Sequence, residues 1–443
     1  ADDLFLVYVI VDALLAVLYV DVAIICYKRH AKLRGYALSI LPSAIFLISG
    51  ILLTNIPLIV FAVAFAISHI YLSIKNIEKE EETPNNKKVA QAIITPIVSL
   101  LGVILLAAGS AVFYFVFREY NPGDLVDIDI NNNRQELVKL DNDYTLFSWN
   151  IGYGVLDKDS DFFMDGGSQA RGKGAALVSE NTKALAERTL ENNPDFVFYQ
   201  EVDVDSTRSN NVDEVKIFTD KLSDFSYTRA LNFKVDYIPY PIPPLGKVDS
   251  GLLTLSKYKI ENANRKALPT TFSWPMRVVN LKRALSINRL PIENSDKQLV
   301  LINFHLEAYD DGSAKVLQTE ILLDVLKNEY ENGNYVIAGG DFNQTFASVS
   351  DIFPVSDTSL WAPGVVNDDD FTDIGYTVCV DTKASCRLLN HPYVSESPET
   401  NNQFYIIDGL VVSNNIIVNS KGIIDYQFEN TDHNPYKMSF KLN

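Results

Sequence analysis

"YVIAGGDFNQ" occupies residues 335–344. It is a short apolar run, the length of a strand, that stops on Asp341 with Asn343 two residues further on. A Gly-Gly-Asp turn is common by itself, so the stretch gains weight only from its company. Other apolar runs end in the same way. "LFSWN" stops on Asn150, "FVFYQE" on Glu201 and "LINFH" on His305. "YIIDGLVVS" carries Asp408 within a strand, and "NTDH" sets Asp432 and His433 just before the final run, "KMSFKL". Histidine is scarce, with 5 in 443 residues, so two of them at run ends call for a reason.

Between these runs, "LVSENTKALAERTLENN" and "AKVLQTEILLDVLKNEY" carry helical spacing. Strands interleaved with helices from Tyr144 to Asn443 predict a layered α/β domain. In such sheets the ends of several strands converge on one edge, where ligands bind. The capable residues then sort by chemistry. Glu201 and Asn150 offer hard oxygen ligands that suit Mg²⁺ or Mn²⁺ rather than zinc. Asp408 is the candidate to orient the His433 imidazole and raise its basicity. Asp341 can position or deprotonate an attacking water. Asn343 and His305 can donate hydrogen bonds to a phosphoryl oxygen. Each residue taken alone has an ordinary structural reading, as a solvated strand end, a turn or a helix cap. Taken together on successive strands, they describe metal-assisted hydrolysis of a phosphate ester.

The set "WNIG", "YQEVD", "SGLLTLSKY", "NFHLEA", "GGDFNQ", "IDGLVVS" and "TDHNPY", in that order, resembles the endonuclease/exonuclease/phosphatase superfamily. That superfamily includes pancreatic-type deoxyribonucleases, abasic-site endonucleases, inositol-polyphosphate 5-phosphatases and neutral sphingomyelinases. The resemblance covers Tyr144 to Asn443. It implies a DNase-I-like four-layer sandwich, two central β-sheets flanked by helices, with a divalent metal at their shared edge. Carried over by position, it implies Asn150 and Glu201 at the metal with Asp432 assisting. Asp341 and Asn343 fall at the water and phosphate positions, Asp408 partners His433, and His305 becomes a second phosphate-contacting histidine.

The first third of the chain reads differently. "LFLVYVIVDALLAVLYVDVAIICY" (Leu4–Tyr27) is interrupted only by Asp12 and Asp21 and is long enough to cross a bilayer as a helix. "YALSILPSAIFLISGILL", "PLIVFAVAFAISHIYLSI" and the run Val89–Phe117 follow, each about a membrane thickness long. Four transmembrane helices are therefore expected within residues 1–118, then a polar linker or stalk over 119–143 with room for a short edge strand, then the catalytic domain over 144–443. Asp12 and Asp21 lie half a revolution apart and cannot form one site. The loop "KRHAKLR" (Lys28–Arg34) has four fixed positive charges and no acid, so it should stay in the cytoplasm. With the lysine-containing loop 75–88 also inside, both termini and the catalytic domain fall on the extracytoplasmic side of the cell membrane. That compartment would permit a disulfide between Cys379 and Cys386, which otherwise read as two unrelated thiols.

Charge narrows the substrate. Residues 1–120 hold nine acidic and nine basic residues, so the remainder carries 56−9=47 acidic against 38−9=29 basic residues and the whole −18. A domain so acidic is a poor default partner for nucleic acid. The chain lacks the "PAWCDR" block of the 5-phosphatases. "NFHLEAYDDG" is similar to the "HLxA" stretch of the neutral sphingomyelinases, which cleave a lipid phosphodiester in phospholipase C fashion. A membrane-anchored, Mg²⁺- or Mn²⁺-dependent phosphodiesterase acting on a phospholipid or sphingolipid headgroup is the expected function. An extracytoplasmic nuclease is the alternative within the enzyme class. A non-catalytic scaffold of the same fold is the alternative outside it, and retention of Glu201, Asp341 and His433 speaks for catalysis. Arg171 and Lys173 in "FFMDGGSQARGKG", and Arg208 in "DSTRS", are candidate phosphate contacts. "YIPYPIPPLGKV" (Tyr237–Val248) reads either as an interfacial loop or as a rigid cover over the core.

Overall fold

The computed structural model describes residues 114–270, 272–310 and 312–443. Residues 120–443 form one compact unit. The four apolar runs of the N-terminal third lie outside the described residues, apart from the helical segment 114–117. Among the described residues no helix is long and apolar enough to cross a membrane.

Fourteen strands of this unit form two seven-stranded sheets. In chain order they are β1 (Leu125–Asp127), β2 (Ile130–Asn131), β3 (Asp143–Asn150), β4 (Phe196–Asp203), β5 (Ser226–Ile238), β6 (Gly246–Ser256) and β7 (Asn262–Ala267). There follow β8 (Ala284–Pro291), β9 (Gln298–His305), β10 (Tyr335–Asp341), β11 (Tyr376–Cys379), β12 (Asp408–Ser413), β13 (Ile416–Ile423) and β14 (Tyr436–Leu442). One sheet runs β1-β7-β8-β9-β10-β12-β11 and the other β13-β14-β3-β4-β6-β5-β2. Each contains a single parallel pair, β9 with β10 and β3 with β4. A parallel pair needs a crossover, and a helix supplies each. These are α1 (Ala175–Glu191) between β3 and β4 and α3 (Ser313–Glu331) between β9 and β10. A shorter helix, α2 (Glu214–Lys221), follows β4.

Residue spacing explains the layers. In α1, Val178, Thr182, Leu185, Ala186 and Thr189 recur at helical intervals and are buried. Leu185 and Ala186 pack with Phe147, Trp149, Val197 and Tyr199 on the outer face of one sheet. Leu322 and Leu326 of α3 pack with Val300, Ile302, Phe304 and Val336 on the outer face of the other. The alternate residues of the same strands face inward. Leu146, Phe196 and Phe198 meet Leu299, Leu301, Ile337, Leu410 and Val412 between the sheets. Each such side chain, fully buried, contributes about 1.5–3 kcal/mol. Period-two burial on both faces of both sheets thus yields the α/β sandwich expected from the sequence.

The segment read as a linker adds edge strands to both sheets. β1 pairs with β7 and β2 with β5, so residues 120–143 belong to the compact unit. Cys379, at the end of β11, and Cys386 are buried free thiols, so the local disulfide is not formed.

Toward one edge the inter-sheet core turns polar. Ser148, Gln200, Thr254 and Asn303 replace the aliphatic residues and are buried. Gln200 Nε2 donates to Asn303 Oδ1 at 2.8 Å, and Asn303 Nδ2 donates to the Tyr199 carbonyl at 3.1 Å. Gln200 belongs to one sheet and Asn303 to the other, so this amide pair fixes the height of one sheet against its partner. Gly340 lies beside it at φ 135°, where a Cβ would fall 2.1 Å from the Phe304 carbonyl and 2.9 Å from Gln200 Nε2. Only glycine fits there.

Candidate active site

The polar edge is where both parallel pairs end. β10 stops on Asp341, whose register partners are His305 on β9 and Asp408 on β12. Three strands thereby put three chemically capable side chains in one row. Asp408 is the first residue of β12 rather than an interior one. From the facing sheet, Asn150 at the end of β3 donates its Nδ2 to Asp341 Oδ2 at 3.0 Å, and Gly152 N donates to Asn150 Oδ1 at 3.0 Å. Glu201 is aimed by a backbone irregularity. The β4–β6 register shifts between Tyr199 and Val202, and Glu201 takes φ 59°. A bulge of this kind re-aims a side chain out of the sheet's alternation. The Glu201 side chain is 23% exposed, whereas those of His305, Asp341, Asp408, Asp432 and His433 are 9% exposed or less, so Glu201 stands nearest the opening.

His433 arrives on a loop braced from several sides. Trp149 Nε1 donates to the His433 carbonyl at 2.8 Å, Arg387 N to the Asp432 carbonyl at 3.1 Å, and Asn434 N to the Ser385 carbonyl at 2.7 Å. Ser385 Oγ also accepts from the backbone N–H groups of Ile407 and Asp408, so one segment supports both members of the pair. His433 Nδ1 and Asp408 Oδ2 lie 2.7 Å apart in a hydrogen bond. The opposite nitrogen, Nε2, lies 3.8 Å from Asp341 Oδ2 and 3.9 Å from Asp432 Oδ2. His305 Nε2 is 3.4 Å from Asp341 Oδ2, and its Nδ1 is 3.7 Å from Glu201 Oε1.

Environment drives the titrating groups apart. Burial alone would depress the His433 imidazole, but Asp408 chiefly, with Cys386 and Asp432, outweighs it and raises the pKa well above 6.5. His305 goes the other way: burial, then the positive charges of Arg283, His433 and Arg208, push it well below 6.5. Burial and the neighbouring Asp408 raise the Asp341 carboxyl to about 7. Burial is also the first cause that raises Glu201 and Asp432. At neutral pH the site therefore holds one imidazolium and one neutral imidazole, with a basic carboxylate between them.

Asn150, Glu201, His305, Asp341, Asn343, Asp408, Asp432 and His433, expected from the sequence at one centre, are brought to this edge. Asn343 sits at φ 49° and buttresses Asp341. Its backbone N donates to Asp341 Oδ1 at 2.8 Å, and its Nδ2 donates to the Leu306 carbonyl at 2.9 Å. The three cations expected to contact phosphate are placed less directly. Arg208 gives Nε and Nη2 to Asp203 at 3.0 and 2.9 Å and lies 3.8 Å over the Tyr153 ring. Arg171 donates Nε to the Pro244 carbonyl and Lys173 donates Nζ to the Asp159 carbonyl.

Two neighbours escape the sequence reading. Arg283, at the start of the run "RALSINRL", is 4% exposed, and its Nε and Nη1 have no hydrogen-bond partner among the described residues. Its closest carboxylate contact is Glu307 Oε2 at 3.8 Å, two residues beyond His305. Arg283 immediately precedes β8, whose Leu285 pairs with Phe304 next to His305, and nothing adjacent to it in the chain signals that position. Cys386 forms an isolated bridge with His433, and burial pushes its thiol up to about 12.

The donor set fits a hard divalent cation. Glu201, Asp432 and the Asn150 amide are oxygen donors. Burial raises the pKa of both carboxylates, and a bound cation would offset that cost by favouring their ionised forms. Among the described residues two ligand-competent groupings also occur, Asp341–Asp408–His433 and Cys386–Asp432–His433, each with its ligand atoms within 4.8 Å of one another. In the first, Asp408 already holds the His433 Nδ1 proton, which leaves the oxygen set as the better cation site.

The sequence model of the endonuclease/exonuclease/phosphatase family matches residues 147–430, more than half of the chain. No curated protein matches the sequence. Among solved structures, the chain is similar to an endonuclease/exonuclease/phosphatase from Beutenbergia cavernae DSM 12333, with 16% identity over 68% of this chain and 72% of that one and a TM-score of 0.47. It is similar at 14% identity and a TM-score of 0.42 to an endonuclease/exonuclease/phosphatase from Bacteroides vulgatus, over 68% of this chain and 100% of that one. The same identity, TM-score and coverages relate it to D. rerio TDP2 complexed with a single-strand DNA product.

Proposed function

We propose, for a chain that belongs to the endonuclease/exonuclease/phosphatase family and is thus a phosphoester hydrolase, that its substrate is a phosphodiester in a membrane lipid headgroup, cleaved in phospholipase C or sphingomyelinase fashion. The single observation that carries the chemistry is the placement of Asp341 between two imidazoles, His305 Nε2 at 3.4 Å and His433 Nε2 at 3.8 Å, across from the oxygen donors of Asn150 and Glu201. Asp341, with a carboxyl near 7, has the proton affinity of a general base at neutral pH and takes the proton of the attacking water. The His433 imidazolium, held by Asp408, donates from Nε2 to a phosphoryl or leaving-group oxygen. Neutral His305 orients the phosphate from the other side of Asp341, and Arg283 adds fixed positive charge behind it. Glu201, Asp432 and Asn150 would hold Mg²⁺ or Mn²⁺, which when bound polarises a phosphoryl oxygen and lowers the pKa of a coordinated water.

Two sequence features support the lipid substrate and the location. The four apolar runs of residues 1–118 anchor the chain, and tethering raises the local concentration of a bilayer substrate. The positive loops then place the catalytic unit on the extracytoplasmic face. The test is a substrate panel with the full chain in detergent and Mg²⁺: phosphatidylcholine, sphingomyelin and single-stranded DNA. Release of a phosphorylated headgroup, stopped by EDTA, is expected. Cleavage of DNA with no headgroup release would replace this reading with a nuclease. Protease added to intact cells should clip after Arg118, and full protection would move the unit to the inside.

A further inference from the structure

Large apolar side chains stand exposed on the edge that carries the active site. The β5–β6 ladder continues past the level of Glu201, from the Val202–Gly251 pair to the Ile238–Gly246 pair. Its tip therefore projects beyond the catalytic edge. There Tyr240 is 68% exposed and Ile242 95%. β8 begins at Ala284 beside the end of β9, so the segment before it rises from the same edge. On that segment Trp274 is 58% exposed and Met276 57%. The two elements are joined at their base. Ile238, Val279 and Leu281 pack with Phe233, Val235 and Val248, and Lys282 N donates to the Asn232 carbonyl at 2.9 Å.

Three further observations bear on what covers these side chains. Residues 237–246 carry no charge, and residues 272–283 carry Arg277, Lys282 and Arg283 with no acidic residue, in a chain of net charge −18. Lys282 and Arg283 are buried and Arg277 is exposed, so the rim itself is free of acidic residues and carries one surface cation on an otherwise acidic chain. Tryptophan and tyrosine, an apolar body with a polar tip, are the side chains that settle at a membrane–water boundary. The chain also enters the compact unit at this edge: β1 starts opposite the end of β7, Ala267 N donates to the Asp124 carbonyl at 2.7 Å, and the Arg265 guanidinium lies 5.7 Å over the Tyr120 ring. In sequence, the last apolar run ends at Phe117, three residues before Tyr120.

We propose that this rim, Tyr240 and Ile242 on the hairpin with Trp274 and Met276 beside it, docks on the phospholipid bilayer and seats the catalytic edge against the headgroups. The proposal rests on the reading of a bilayer-borne substrate and adds the surface that presents it. Insertion of four apolar side chains around one opening would replace diffusion of a lipid out of the bilayer by direct entry of its headgroup into the site.

Tryptophan emission provides the test. The chain has three tryptophans: Trp149 is fully buried, Trp361 is half-buried against Tyr405, and Trp274 is exposed. The full chain is reconstituted into vesicles of phosphatidylcholine and of the same lipid brominated in its acyl chains. Bromine should quench emission in the parent, and Trp274→Phe should remove most of the quenchable signal. In parallel, the double variant Ile242→Asp/Trp274→Asp should hydrolyse vesicle lipid at least tenfold more slowly while hydrolysing the soluble diester bis(p-nitrophenyl) phosphate at the parent rate. Equal quenching in parent and Trp274→Phe, with equal vesicle hydrolysis in the double variant, overturns the proposal. So does unquenched Trp274 with a changed oligomeric state in Ile242→Asp, which would give the rim to a second copy of the chain. A parent inactive on vesicle lipid and on the soluble diester alike would refute the phosphodiesterase reading, while the quenching arm would still decide the rim.

Discussion

Asp408 faces Asp341 across β10 and β12, yet it turns its Oδ2 to His433 Nδ1 at 2.7 Å. Two neighbouring carboxylates thus acquire separate roles. Asp408 sets the tautomer and charge of His433, and burial together with the Asp408 charge leaves Asp341 with a raised pKa despite His433 Nε2 at 3.8 Å. Asp408→Asn keeps the shape but removes the charge that outweighs burial at His433. The expected result is a fall in kcat of about 10²–10⁴-fold with KM within about threefold of the parent, since the imidazolium acts on the transition state. Steady-state kinetics with unchanged circular dichroism checks it. A variant with near-parental kcat would remove Asp408 from the site.

The carboxylates also predict a ligand effect that needs no turnover. Glu201, Asp341 and Asp432 are buried or nearly so, and burial raises all three. A divalent cation that binds only the folded state should stabilise it by about 2–3 kcal/mol at a hundredfold excess over Kd. In thermal unfolding of the full chain, Mg²⁺ should raise Tm and EDTA should reverse the rise. Glu201→Gln, whose amide cannot replace the ionised ligand, should lose most of the rise. An equal Mg²⁺ response in parent and variant would take Glu201 out of the metal set.

A third expectation concerns the amide pair beneath the site. Asn303 Nδ2 donates to the Tyr199 carbonyl, and its Oδ1 accepts from Gln200 Nε2, all of it buried. Asn303→Leu is close in size but leaves those partners unpaired between the sheets. Such orphaned groups cost about 1–3 kcal/mol each. Urea unfolding should therefore show a loss of about 2–4 kcal/mol. A loss under about 0.5 kcal/mol, the scale of an ordinary surface change, would mean the pair does not lock the sheets.

What the sequence revealed follows from physics that acts locally. Runs buried on both faces, such as "FVFYQ" in β4 and "YVIAGG" in β10, are apolar throughout and stand out. Their polar ends stand out by contrast, which is why Asn150, Glu201, His305 and Asp341 were legible. β5 and β8 were not, because inward positions hold polar partners: Thr228 Oγ1 donates to Asn288 Oδ1 at 2.6 Å inside the sandwich. The apolar residues of such a strand lie on one face only, as Leu285 and Ile287 do in β8, so no continuous apolar run marks it. β1 and β2 are three and two residues long and lie at sheet edges, too short for any pattern. Arg283 and Cys386 owe their position to strand register and a long loop, and nothing adjacent to them in the chain reports that.

The last prediction uses a buried acid away from the cation site. Glu214 opens α2, is fully buried, and accepts from Asp203 N at 2.7 Å through Oε2, while Oε1 has no partner among the described residues. Burial first, and the Asp203 carboxylate second, raise its pKa well above the ordinary 4.5. The fold then binds a proton that the unfolded chain releases once pH exceeds about 4.5. Stability from this group is complete below that value and falls as pH rises toward the folded pKa, by about 1.4 kcal/mol per unit of displacement. Glu214→Gln keeps an acceptor for Asp203 N and cannot ionise, so it should gain on the parent as pH rises. Unfolding of both proteins at about pH 5 and about pH 8 measures this, with the variant's advantage expected to grow between the two. An advantage that stays constant, or that shrinks toward high pH, would mean that Glu214 is ionised in the folded protein, with Arg208 and Arg229 sufficient to hold its charge.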